Sequence, residues 1–167
     1  MDINSLYDFK NVSVLVAGDL MLDDYIGGNV QRISPEAPVP VLDVKWENRK
    51  LGGSGNVINN ITTLTAKARI VSCIGNDSNG AELIALLKEK GVDVKFLMQS
   101  SEITTTTKTR VVARNQQVVR LDREVKTPYP SAFIDYIEKN IEDMFDGIDV
   151  LALSDYGKGV LTDEVYQ

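Results

Sequence analysis

Four short stretches hold the side chains that could do chemistry. Two acids, Asp19 and Asp23, follow the apolar run VSVLVAG. Adjacent glycines, Gly52 and Gly53, precede Asn56 and an amphipathic run, and an unpaired helix N-terminus with an amide beside it favours an anion or a hydroxyl-rich ligand. Asp155 and Lys158 stand in DYGKG, after another apolar run. Lys108, Arg110, Arg114, Arg120 and Arg123 crowd one segment against Asp122 alone, a local basic cluster of the kind a phosphate-bearing ligand needs. Each has a plainer reading. Glycines can merely join two elements, Asp19 and Asp23 can cap a turn, DYGKG can be a plain turn, and charges can guard an exposed hairpin edge against aggregation.

The elements that must position these groups follow from hydrophobic periodicity. VSVLVAG and RIVSCIG are short, continuous and rich in β-branched residues, the pattern of central parallel strands, and Asp149 to Ser154 repeats it as a third buried strand. Val57, Ile58, Ile61 and Leu64 put a helix after the glycine pair, and Leu83, Ile84 and Leu87 put a second one before Gly91. VDVKFLMQS reads as a strand. A third helix spans SAFIDYIEKNIEDMF, with Phe133, Ile134, Ile137, Ile141 and Met144 on its inner face and Pro130 in its first turn. Strand and helix alternate as in a parallel α/β sheet, and in such sheets ligands gather at the carboxyl ends of strands. The acids, the glycine pair and DYGKG are therefore expected on one edge.

Two segments do not fit the alternation. Residues 25–50 carry prolines at 35, 38 and 40 with partial alternation at Val39, Val41, Val44 and Trp46, which restricts them to edge strands or extended loops. Residues 104–124 read as a hairpin turning near Asn115 and Gln116. The first looks like a flap projecting from the main sheet, of the kind that covers a ligand or pairs with a second subunit.

Composition narrows the functional classes. The chain has 167 residues, 43% of them hydrophobic, enough for one core without a second domain. Its net charge of -6 argues against a nucleic-acid partner. There is no histidine, which removes the usual hydrolytic triads and histidine metal sites, and Cys73 alone can form neither an intrachain disulfide nor a thiolate zinc site. No apolar run reaches membrane-spanning length and MDINSLYDFK has no signal-peptide pattern, so a cytoplasmic location without membrane contact is expected.

In order, VAGDLMLDDY, LGGSGNV, GNDSNGAEL and LSDYGKG resemble the first half of the ribokinase-like carbohydrate kinases. RISPEAPVPV and TTTKTRVVARNQQVVRLD are similar to the heptose 7-phosphate kinase domain of the bifunctional ADP-heptose synthesis proteins, which serve lipopolysaccharide core biosynthesis. The resemblance covers essentially the whole chain, 1–167. It implies an α/β fold with a Rossmann-type parallel sheet, helices on both faces and a small β-sheet lid, incomplete as it stands. It implies a sugar-phosphate kinase, a phosphorylated sugar as partner, and a homodimer through lid strands. By the same resemblance Asp23, Gly52, Gly53, Asn56 and Asp155 bind sugar hydroxyls. Lys108, Arg110, Arg114, Gln117 and Arg120 hold the substrate's phosphate, and Lys158 steadies the transferred phosphoryl group.

One departure carries weight. The family's Gly-Ala-Gly-Asp anion hole, with its aspartate general base, lies in its second half and is absent from this sequence. No catalytic residue is therefore expected in this chain, and the base is expected beyond Gln167. ATP and Mg2+ are expected to act in the complete enzyme and not to bind this chain tightly by itself. The expectation is a chain inactive alone, as a fragment or truncated product, because phosphoryl transfer depends on stabilising charge around the γ-phosphate. The rival is a non-catalytic phosphosugar-binding or regulatory module. A dinucleotide-binding domain is weaker, since LGGSGN lacks the G-x-G-x-x-G spacing.

Overall fold

A computed structural model describes residues 9–114, 116–124 and 129–166. Four strands form a parallel sheet in the order β5-β4-β1-β8, where β1 is Ser13–Gly18, β4 Lys67–Gly75, β5 Asp93–Ser100 and β8 Val150–Ser154. Alternate residues of β1 go to opposite faces, as the pleat requires. Val14 and Val16 join Ile58 of α1 (Ser54–Thr63) and Leu83 and Leu87 of α2 (Ser78–Glu89). Leu15 and Ala17 join Phe133 and Met144 of α3 (Ser131–Phe145). The sheet is thus covered on both faces, and its central strands are the two apolar runs singled out in the sequence. Cys73 lies in the second core, where burial and then Glu102 push its thiol up to about 12. It is packing, not a nucleophile.

Two expectations need correction. β8 is an edge strand instead of a buried one: Val150, Leu151 and Leu153 are 44–49% exposed, since only β1 pairs with it among the described residues. Ile141 of α3 is likewise 43% exposed, because it faces this open edge and lines a shallow apolar groove with Leu151 and Leu153.

The second sheet has the order β3-β2-β6-β7, with β2 Leu20–Ile33, β3 Pro40–Gly53, β6 Thr107–Ala113 and β7 Gln116–Arg123. The proline-bearing strand β3 is an edge, as proline demands. β2 pairs antiparallel with β3 and parallel with β6, and β6 pairs antiparallel with β7. The hairpin turn expected at Asn115 lies outside the described residues. A short α4, Asp163–Tyr166, ends the described chain.

Asp77 joins the two sheets. Its carboxylate caps α2 by accepting the Gly80 N–H at 2.8 Å, and accepts the Thr105 N–H at 2.9 Å just before β6. Burial works to raise its pKa, but the hydrogen bonds from Thr105 and Gly80 outweigh it and hold the carboxyl below its ordinary value. The sign follows from linkage. A group depressed in the folded state stabilises above its unfolded pKa, about 3.9 for Asp, and loses that contribution as pH falls through the folded value. Asp77→Ala is expected to lower stability by about 1 kcal/mol at pH 7. The gap between variant and wild type should close below about pH 4, the unfolded value. Thermal melts from pH 7 to pH 2 check this, and a gap independent of pH would overturn it.

Candidate active site at the root of the lid

The chain leaves the parallel sheet at Gly18 and enters the lid at Leu20, so Asp19 is the single residue between β1 and β2. It returns at Gly53, and Ser54 opens α1 by donating its N–H to the Asp19 carbonyl at 2.9 Å. Gly53 has φ 59° and ψ -129°, a conformation that side-chain-bearing residues avoid, and a Cβ there would lie 2.3 Å from that same carbonyl oxygen. The glycine pair is thus required by backbone contact. Asp19 also donates its N–H to the Ser154 carbonyl at 3.1 Å, and its side chain accepts N–H groups from Tyr156, Lys158 and Val160. The ends of β1, β3 and β8 and the start of α1 therefore meet on one edge, as their sequence pattern implies.

Register sorts the lid side chains into two faces. Asp23 lies opposite Lys50 on β3 and Lys108 on β6, while Tyr25 lies opposite Arg110. Residues opposite one another point to the same side, so these five share a face with Gly52, whose missing Cβ would come within 2.7 Å of the Asp23 carboxylate. Arg110 bonds Asp23 at 2.5 Å with both side chains about one-fifth exposed. That hydrogen bond, against some loss of hydration, raises the Arg110 pKa further. The Tyr25 ring lies under both cations, 5.2 Å from the Arg110 guanidinium carbon and 5.6 Å from Lys50 Nζ. Among the described residues neither Lys50 nor Lys108 has a carboxylate within ion-pair distance. Arg120 and Asp122 of β7 lie opposite Arg110 and Lys108, so four cations stand against two carboxylates on this face, leaving about two positive charges, enough to match a phosphate dianion.

Of the remaining expected residues, Arg120 shares this face, opposite Arg110. Arg120 is bonded by two nitrogens to Asp122 at 2.8 and 3.0 Å, which takes it out of the unpaired positive charge. Gln117 lies opposite Val112, two residues along from Arg110, whereas Arg114 lies just past β6, at about 3.3 Å per residue roughly 13 Å beyond Arg110. One phosphate does not span that distance. Asn56, on the first turn of α1, lines a groove of about 520 Å³ with Arg49, Lys50 and Asn59. Asp155 is exposed and accepts the Gly157 N–H at 2.7 Å. Lys158 points its ammonium at Glu124 of the lid, 2.6 Å away. Tyr129 packs beside this loop, and burial followed by the Asp19 charge pushes its phenol above its ordinary value.

Lys50 and Tyr25 were missed as site residues in the sequence, although both fall in the lid segment. The signal was cross-strand register, which periodicity within one strand does not supply. Among the described residues no group of three or more acidic, histidine or cysteine side chains is placed to hold a metal ion, and no helix is long and apolar enough to cross a membrane.

A two-faced parallel sheet with a four-stranded lid rooted at its carboxyl edge is the ribokinase-like fold of sugar kinases. Solved structures show the same fold: phosphofructokinase-2 from Escherichia coli in its tetrameric inhibited form, at TM-score 0.65 and 18% identity over 90% of this chain and 47% of that one, and a carbohydrate kinase from Agrobacterium tumefaciens, at TM-score 0.63 and 17% identity over 85% and 45%. The chain belongs to the pfkB family of carbohydrate kinases, whose model matches residues 12–164. It is 46% identical over 156 residues to the bifunctional protein HldE of Helicobacter hepaticus, covering 93% of this chain and 32% of that protein. The HldE of Citrifermentans bemidjiense is 47% identical over 159 residues, with 93% and 32% covered. The chain thus spans about a third of the length of the curated relatives it matches.

Proposed function

We propose that this chain supplies the substrate-binding and lid portion of a kinase that phosphorylates the anomeric hydroxyl of D-glycero-D-manno-heptose 7-phosphate, in ADP-heptose formation for lipopolysaccharide. The single observation that carries the substrate class is the gathering of Lys50, Lys108 and Arg110 around Asp23 on one lid face. Asp23 accepts hydrogens from sugar hydroxyls, Gly52 leaves room for the ring, and Lys50 and Lys108 with Arg110 hold the phosphate already on the sugar. Gly53, Asn56 and Asp155 belong to the same reading as hydroxyl contacts near the lid root, and Lys158 as a contact for the transferred phosphoryl group. ATP and Mg2+ belong, in the same reading, to the complete enzyme.

The opposite lid face is the proposed homodimer surface. Val119 and Leu121 lie on it, 44% and 50% exposed. Calorimetric titration of the protein with heptose 7-phosphate and with the unphosphorylated heptose, with sedimentation of the same samples, tests the whole reading. Binding of the phosphorylated sugar at least tenfold tighter and a concentration-dependent dimer are expected. No binding of either sugar would overturn the substrate, and a monomer at high micromolar concentration would overturn the dimer.

A further inference from the structure

Asp19 is a buried carboxylate, 1% exposed, to which neither the sugar nor the phosphate reading assigns a role. Its Oδ2 accepts the N–H groups of Tyr156 at 2.7 Å and Lys158 at 3.0 Å, and its Oδ1 that of Val160 at 3.1 Å. Three alternate amides of one loop thus converge on one side chain from the other end of the chain. Such a wrap of N–H groups around an anion resembles a backbone nest, here with alternate amides and built around an internal carboxylate. Gly157 at φ 65° and Gly159 at φ 104° supply the left-handed turns that let the loop curl. Of the two other amides, that of Gly157 goes to Asp155.

The loop presents two of the candidate site residues. Asp155 precedes the nest, and Lys158, whose own N–H is held by Asp19, extends its ammonium to Glu124 at the end of the lid. Asp19 is also the residue at which the chain passes from body to lid, and its carbonyl holds the start of α1. One residue therefore fixes the lid root through its backbone and the loop through its side chain.

We propose that Asp19 is a positioning residue: its carboxylate sets the Tyr156–Val160 loop so that Asp155 and Lys158 meet the ligand at the lid root. The ligand half of this rests on the proposed sugar-phosphate function. The loop half does not. Asp19→Asn keeps the size of the side chain but turns an NH₂ group toward donors, so that one or two of the three amides lose their acceptor.

Two measurements decide. In Asp19→Asn, amide hydrogen exchange at Tyr156, Lys158 and Val160 is expected to speed up at least tenfold, while the amides of β1 stay protected. Affinity for heptose 7-phosphate is expected to fall at least tenfold in the folded protein, and the loss should be non-additive with that of Lys158→Met, because both act through one loop. A merely structural Asp19 would lower the melting temperature and leave the affinity of the folded fraction unchanged. Unchanged exchange at the three amides overturns the proposal. Freed amides with unchanged affinity, or losses that simply add, overturn it too. Should wild type fail to bind the sugar phosphate, the proposed function falls, and the exchange measurement alone decides whether Asp19 holds the loop. Should Asp19→Asn fail to fold, Gly159→Ala, at φ 104° and with its Cβ 3.0 Å from the Tyr129 ring, strains the same loop and is expected to give the same two results; normal exchange and binding there overturn the proposal.

Discussion

Gly53→Ala is expected to destabilise the protein by roughly 3–5 kcal/mol, at the upper end of what single substitutions do. Two costs combine. Alanine at φ 59° and ψ -129° is strained by about 1–3 kcal/mol. Its Cβ would also lie 2.3 Å from the Asp19 carbonyl oxygen, a backbone atom that receives the first N–H of α1 and has no rotamer to move to. Relief of the clash therefore separates α1 from β1 and breaks the Ser54 hydrogen bond. Urea unfolding should show a lower midpoint at unchanged slope, and a loss below about 1 kcal/mol would refute the argument. Gly52→Ala is the informative contrast. Its Cβ would meet the Asp23 carboxylate at 2.7 Å, the end of a side chain that can shift, so sugar binding should suffer while the fold survives.

The two glycines look alike in the sequence and differ in what they touch, which marks how far sequence could take the reading. β1 and β4 were legible because a parallel strand buried on both faces must be continuously apolar. β8 has the same pattern, and nothing in its residues says whether it has one neighbour or two. The sequence does not decide between ligand contact and turn cap for Asp19, because the amides that bind it lie 137 to 141 residues away. Lys50 carries no sequence signal for a related reason: it becomes a neighbour of Asp23 only once β2 and β3 are paired in register. The cluster of five cations in residues 104–124 was visible, but charge counts along a strand ignore pleat and distance. The structure keeps Lys108 and Arg110 together, neutralises Arg120 with Asp122 and leaves Arg114 far along the hairpin.

The lid cations yield the sharpest functional test, and the structure changes which residue should be replaced. Lys108 lies between Asp23 on β2 and Asp122 on β7 with no carboxylate within ion-pair distance among the described residues, so Lys108→Met removes charge without breaking a salt bridge. If it contacts the sugar's phosphate, the loss should be on the order of 1.5–3 kcal/mol, ten- to a hundredfold in affinity for heptose 7-phosphate. Affinity for the unphosphorylated heptose should hardly change. Arg110→Ala should behave differently, because it also releases Asp23 from a bond at 2.5 Å and uncovers the Tyr25 ring. Both ligands should then bind more weakly, the phosphorylated one by the larger factor. Calorimetry of the two variants with the two ligands makes a four-way comparison. Equal affinity of wild type and Lys108→Met for heptose 7-phosphate would make Lys108 a solvated guard of the lid. Equal losses for both ligands in Lys108→Met would mean that it supports the lid and touches no phosphate. Only a loss in Lys108→Met confined to the phosphorylated sugar, together with a broader loss in Arg110→Ala, agrees with a phosphate held between two lid strands above Asp23.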